Sequence, residues 1–322
     1  MKKLFIMGLA AMGLALTACN SDETVEMAKG NAIGFKTFVN NSTRAANDVT
    51  TDGLEAFKVW GLMNKDGQTG TPFDGKDVTK ENGTWSYAPP VYWEKGYAYS
   101  FVALAPNDVY TFTAPTAINT WGSLTFDNGN GETDLIYAAA KKETVEGNGC
   151  PAPVDLTFNH MLSRVRFQFE NGMEDGSKLT VTDVKINDAY TSGTATLAEQ
   201  LANLSWAPGQ TTGALEFGKA AAMDPNAKAE TAHKYMIPAT KKYNLTFTVT
   251  HVHHGVTDTY NHTVTLPETE MKQGLSYQFV AKFTAENINP DEVLCPIQFT
   301  AEVKGWENFT DKAFDVKSAT NI

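Results

Sequence analysis

The chain has 322 residues and a formal net charge of −11, from 26 Lys and Arg against 37 Asp and Glu. An acidic chain without a basic stripe excludes a nucleic-acid binder, because a phosphate backbone demands clustered cations, and no polybasic patch for a membrane surface is present either. Three cysteines are too few for a disulfide-stapled scaffold.

The first residues set the compartment. Lys2 and Lys3 precede an uncharged apolar run over 4–17, the two leading regions of a signal peptide and too short for an ordinary spanning helix. It ends in Leu16-Thr17-Ala18-Cys19, which resembles a bacterial lipobox: the signal, residues 1–18, is cut and Cys19 is acylated. Several acyl chains anchor a protein firmly without making it span. Asn20, Ser21, Asp22 and Glu23 read as a tether, similar to the acidic start that sends lipoproteins of the Bacteroides group to the outer face of the outer membrane.

The remaining residues suffice for two domains and are β-type, with short stretches of Phe, Tyr, Trp, Val and Thr broken by Gly, Asn, Asp and Pro. A first strand is predicted over 32–39, carrying Ile33, Phe35, Phe38 and Val39. The polar stretch 40–52 behind it holds one basic residue, Arg44, followed by Ala45, and a segment of that kind is open to nicking. Further strands are predicted over 57–62, 84–87, 97–105 and 135–140, with Tyr97, Tyr99, Phe101 and Ala103 sharing one face of the third. Gly147, Gly149 and two prolines mark 144–153 as a linker, which ends the first domain at Gly149 and starts the second at Cys150.

The second domain opens on the most regular alternation in the chain: Val154, Leu156 and Phe158, then Leu162, Val165, Phe167 and Phe169, the last three interleaved with Arg164, Arg166 and Gln168. Strands follow over 179–186, 243–249, 260–266, 277–283 and 297–303, the second and third of these forming a hairpin around Gly255. Many short strands at this spacing predict an all-β sandwich, with a barrel as the alternative. Cys150 and Cys295 each precede a proline, and an exported location permits a disulfide between them.

Nothing local asks for catalysis or a cofactor. His251 and His253 share a strand face with His254, Asp258 and His262 nearby, a set that could hold zinc, but its turn setting reads better as solvated histidines. Ser163 has no nucleophile elbow, and His160 reads as a packing residue between two strand runs. Asp127, Glu132 and Asp134 lack calcium-loop spacing. Trp85, Tyr87, Tyr92 and Trp93 fit either a glycan-stacking face or a β core. The tail over 312–322 offers Phe314, Val316 and Ile322 among charged residues, suited to a strand docked at home or on another molecule's sheet edge.

The lipobox at Cys19, the 33–39 strand with Thr43-Arg44-Ala45 behind it, Val91-Tyr92-Trp93 leading to Pro106, and Leu156-Thr157-Phe158-Asn159-His160-Met161-Leu162-Ser163-Arg164-Val165 together resemble the fimbrillin family of Bacteroides-type bacteria. The resemblance spans most of the mature chain. It implies two tandem transthyretin-like Greek-key β-sandwich domains, 45–149 and 150–322, the first taking its initial strand from the precursor's 32–39. It also implies a cell-surface fimbrial subunit, without cofactor or enzymatic activity, that serves adhesion. An arginine-specific surface protease would cut between Arg44 and Ala45, removing the acylated leader 19–44 with Ile33, Phe35 and Val39. The C-terminal strand of another fimbrial subunit, here carrying Phe314, Val316 and Ile322, would then fill the groove. The partners implied are other fimbrial subunits, that protease and, before processing, the outer membrane. The alternatives are a surface glycan-binding lipoprotein, a non-polymerising anchor or tip subunit, and a surface hydrolase.

Overall fold

The computed structural model describes residues 32–40, 48–144, 152–292 and 296–306. The first part of the chain contributes β1 (Phe35–Val39), β2 (Ala56–Lys65), β3 (Gln68–Glu81), β4 (Thr84–Ser86), β5 (Ala98–Ala105), β6 (Tyr110–Thr113), β7 (Ser123–Asp127) and β8 (Ile136–Glu143). Then come β9 (Val154–His160), β10 (Ser163–Asn171), β11 (Lys178–Tyr190), β12 (Ser192–Thr196), β13 (Ser205–Pro208), β14 (Thr212–Gly218), β15 (Lys228–Glu230) and β16 (Lys234–Met236). The series ends with β17 (Thr240–Lys241), β18 (Asn244–His253), β19 (Val256–Thr265), β20 (Thr269–Glu270), β21 (Leu275–Phe283) and β22 (Thr300–Gly305). Among the described residues the helical elements are two single turns, Leu201–Asn203 and Pro290–Glu292.

The first sheet runs β1-β9-β8-β5-β2-β3-β4. Every pairing in it is antiparallel except β1 with β9, which is parallel from Phe35 opposite Val154 to Val39 opposite Phe158. The strand predicted to open the second domain is therefore hydrogen-bonded between β1 and β8. The sheet curls until its two edges meet. Trp85 Nε1 donates to Thr37 Oγ1 at 3.1 Å, the Tyr87 hydroxyl donates to the Ile33 carbonyl at 2.6 Å, and the Ile33 N–H donates to the Val91 carbonyl at 2.8 Å. The result is a nearly closed barrel around Phe35, Phe57, Phe73, Phe101 and Phe158, rather than two flat facing sheets. A twisted sheet whose inner face is this apolar gains by wrapping around it.

The second core is a sandwich. β15-β10-β21-β22, with β16 also on β10, faces β14-β11-β18-β19. Phe167, Phe169, Phe279 and Phe283 meet Val181, Ile186, Leu245, Phe247 and Val249, with rings of Phe169 and Phe247 5.6 Å apart. The strand alternation read from 162–169 puts Val165, Phe167 and Phe169 inside as expected. The β18–β19 hairpin is longer than predicted, with paired residues from Asn244–Thr265 to His253–Val256.

A third core lies between these two. The sheet β13-β12-β7-β6 takes strands from both parts of the chain, β7 pairing with β12. It covers the outer face of the barrel, so that Leu124, Phe126 and Ala195 pack with Val102, Leu104 and Tyr137. Strand β5 is consequently buried on both sides: Tyr99, Phe101 and Ala103 face the barrel interior and Val102 and Leu104 face the third core.

Two phenylalanines on β1 test this placement. Phe35 is 7% exposed among four aromatic rings, whereas Phe38 is 54% exposed. Phe35→Ala is expected to lower unfolding stability by about 3–5 kcal/mol and Phe38→Ala by less than about 0.5 kcal/mol, measured by urea titration; equal losses would place β1 elsewhere.

Candidate functional site

The first strand contributes three core side chains, Ile33, Phe35 and Val39, all within the same apolar cluster. Its partner β9 presents Val154, Leu156 and Phe158 to that cluster, following the alternation in their sequence. Main-chain bonds continue the pairing past the strand ends: Val154 N–H donates to the Gly34 carbonyl and Asn40 N–H to the Phe158 carbonyl, each at 2.8 Å. Burying these three side chains contributes roughly 5–8 kcal/mol, as much as the entire net stability of many domains. Apart from β1, every wall of the groove comes from residues beyond 48.

Asp48 and Val49, the first described residues after 41–47, are held in a buried polar knot. The Asp48 carboxylate is fully buried, forms an ion pair with Arg164 and accepts the Tyr235 hydroxyl at 2.7 Å. The Val49 N–H donates to Asp134 Oδ2 at 2.7 Å, and the other oxygen of Asp134 lies 3.0 Å from His160 Nδ1. Strand pairing puts these groups together: Arg164 on β10 sits opposite Tyr235 on β16 on one side and Ser276 on β21 on the other. Arg164 Nε also donates to Ser276 Oγ at 3.0 Å.

Trp306, which follows β22, is the lid of the knot. Its ring lies parallel to His160 at 4.1 Å and to Tyr235 at 5.7 Å, with the Arg164 guanidinium 5.5 Å from its centre. A guanidinium and an indole held this close attract through the ring's quadrupole. Burial raises the Asp134 carboxyl above the usual carboxylate range, against the opposing pull of His160 and the Val49 N–H. Burial likewise raises the Tyr235 hydroxyl and lowers His233, the latter against the Asp48 charge.

The knot ties the chain just past residue 47 to the chain just before residue 307. Chemically it is a structural clamp: its carboxylates are occupied by Arg164, Tyr235, His160 and a backbone amide. His160 is a packing residue, as its sequence position suggested. Asp134, read from the sequence only as one of three loop acids, is a buried member held by the Val49 N–H and His160; the other acid of the knot, Asp48, and its partner Tyr235 carried no local sequence signal.

Of the sequence-predicted site residues, Ile33, Phe35 and Val39 are brought together in the first core. Cys19, Arg44, Ala45, Cys150, Cys295, Phe314, Val316 and Ile322 lie outside the described residues. Trp85, Tyr87 and Trp93 are half-buried against the first core, and Tyr92 is the exposed member of that aromatic set.

The clamp is expected to fail by charge imbalance. Arg164→Met leaves Asp48 buried and unneutralised, for a loss of about 3–5 kcal/mol, whereas the double variant Asp48→Leu with Arg164→Met recovers most of it. Urea titration of both single variants and the double measures the coupling; additive losses would show that the two side chains do not act as a pair.

The fimbrillin-like family matches this chain over residues 43–306. Among solved structures, a fimbrial protein from Bacteroides vulgatus superposes with a TM-score of 0.62 at 15% identity, covering 86% of this chain and 99% of that one. The fimbrial anchor protein Mfa2 from Porphyromonas gingivalis aligns with a TM-score of 0.41 at 13% identity, over 85% of this chain and 98% of its own. The likeness to the B. vulgatus protein is one of fold. No curated protein matched by sequence.

Proposed function

This chain belongs to the fimbrillin-like family, and from that premise we propose that it is a polymerising subunit of a cell-surface fimbria, assembled by proteolysis and strand exchange and serving adhesion. The general role of fimbrial subunit, structural rather than enzymatic, and a place at the outer surface go with the family. The proposal adds the route: lipidation at Cys19, cleavage between Arg44 and Ala45 by an arginine-specific surface protease, and loss of the leader 19–44 with β1. The groove then receives the C-terminal strand of the next subunit, through Phe314, Val316 and Ile322. In this reading the body consists of two transthyretin-like units, 45–149 and 150–322, with β9 of the second pairing into the sheet of the first.

The observation that carries the reading is the setting of β1. It is an edge strand, its buried face and the residues leading into it supply Ile33, Phe35 and Val39, and the other walls of its groove lie on the far side of Arg44 in sequence. Its removal would uncover apolar side chains and the unpaired edge of β9, a surface that attracts another strand through main-chain bonds and side-chain pockets. The anchoring of Asp48 supports the same reading, since the body remains clamped three residues beyond the new N-terminus at Ala45. A glycan-binding role is less well supported, because three of the four aromatics that would stack on a sugar turn towards the core.

Limited arginine-specific proteolysis of the folded, full-length chain, followed by intact-mass analysis and sizing with a synthetic 312–322 peptide, tests the proposal. The expected result is one cut after Arg44, release of the leader and capture of the peptide by the product. Resistance at Arg44, or a cleaved product that neither assembles nor binds the peptide, would overturn it in favour of an anchor subunit that keeps its lipid.

A further inference from the structure

The far end of the second sandwich carries a group of side chains that fimbrial assembly does not use. The β18–β19 hairpin closes through His254 and Gly255, both at positive φ (48° and 80°), the geometry of a tight two-residue turn. On β18, His251 and His253 project to the same face, two residues apart. β11 begins beside them, with Leu179 opposite His251 and Lys178 opposite Val252. The turn leading into β11 therefore delivers Asp175 and Ser177 to the two imidazoles.

The ligand atoms of Asp175, His251 and His253 all lie within 4.8 Å of one another. Asp175 Oδ2 is 3.3 Å from His253 Nδ1, close to the ligand-to-ligand spacing of about 3.3 Å that tetrahedral zinc with bonds near 2.0–2.1 Å requires. The Ser177 hydroxyl lies between the rings, 2.7 Å from His251 Nε2 and 3.0 Å from His253 Nδ1, so both nitrogens point to one place. The other oxygen of Asp175 accepts the Ser177 N–H at 2.9 Å, which fixes the carboxylate. Behind His251, Asp258 Oδ2 is 4.0 Å from Nδ1, the nitrogen turned away from the common point. At that distance no hydrogen bond forms, so Asp258 lies across the strand pair from His251 without fixing its ring.

We propose that Asp175, His251 and His253 form a zinc site, with a fourth position left for water or a group from outside the chain. One carboxylate and two imidazoles suit a borderline divalent ion better than calcium or magnesium, which take all-oxygen sets. The ion would tie the tip of the β18–β19 hairpin to the turn before β11. The sequence alone offered Asp258 as the oxygen ligand; the fold supplies Asp175 instead, 76 residues before His251.

Isothermal titration of the untagged full-length chain with zinc chloride, paired with thermal unfolding, tests the site. The expected result is one ion per chain, a rise in melting temperature on loading, and affinity about tenfold or more weaker in His253→Ala and in Asp175→Asn. Asp258→Asn, which removes neither a ligand nor a hydrogen bond to one, is expected to keep zinc affinity close to that of the parent. The three substitutions lie on partly exposed side chains, and a circular dichroism spectrum matching the parent establishes that each variant is folded. Ser177→Ala, which removes no ligand, is expected to retain the ion. An absence of saturable zinc binding, or zinc affinity equal to the parent in folded His253→Ala and Asp175→Asn, would overturn the assignment.

Discussion

The parallel pairing of β1 with β9 is the constraint around which the first half of the molecule is arranged. β9 has β8 on one side and needs a partner on the other, and the face it shares with β1 looks into the barrel. The curled sheet meets its opposite edge through β1 and the residues just before it: Trp85 bonds to Thr37 on the strand and Tyr87 to Ile33 ahead of it. A five-residue strand thus seals a core lined by Phe57, Phe73, Phe101 and Phe158. In the proposed assembly its removal would leave an apolar, strand-shaped vacancy for the end of another subunit.

Such a strand can be exchanged only if the rest of the body holds when it leaves. In the proposed assembly the clamp centred on Asp48 and Arg164 would serve that condition, because it fixes the chain directly beyond 41–47 through groups on β10, β16 and β21 rather than through β1. Trp306 brings the start of the C-terminal tail to the same clamp. Asp48, which lies beyond the segment to be shed in the proposed assembly, and Trp306, which lies before the segment to be donated, are therefore held in one buried, charge-balanced region. A buried ion pair is a weak source of net stability but a strict source of geometry, since any displacement of one partner exposes the other's desolvation cost.

The sequence was most legible where one face of a strand is buried. Val154, Leu156 and Phe158, then Val165, Phe167 and Phe169, announced β9 and β10 by alternation, and both are present with those residues inside. It was silent about β3, a 14-residue strand that reads as a loop because Gly70, Pro72 and Gly75 interrupt it and only Phe73 and Val78 are buried. The strands β6, β7, β12 and β13 were missed for a related reason: each is short, and their third core is completed by side chains from distant parts of the chain. Alternation also could not say which sheet β9 joins, because that depends on the partner it meets and not on its own pattern. The clamp was invisible for the same reason. Asp48, Asp134, Arg164, Tyr235 and Trp306 are ordinary residues in sequence and become a unit only through strand pairing.

The claim that β1 is a separable part of the core is tested most directly by the chain beginning at Ala45, unfolded in urea with and without a peptide of residues 32–40 supplied in trans. The account predicts that the shortened chain loses roughly 5–8 kcal/mol of stability and that the peptide restores much of the loss. A shortened chain that unfolds at the same urea concentration as the parent and binds no peptide would contradict it.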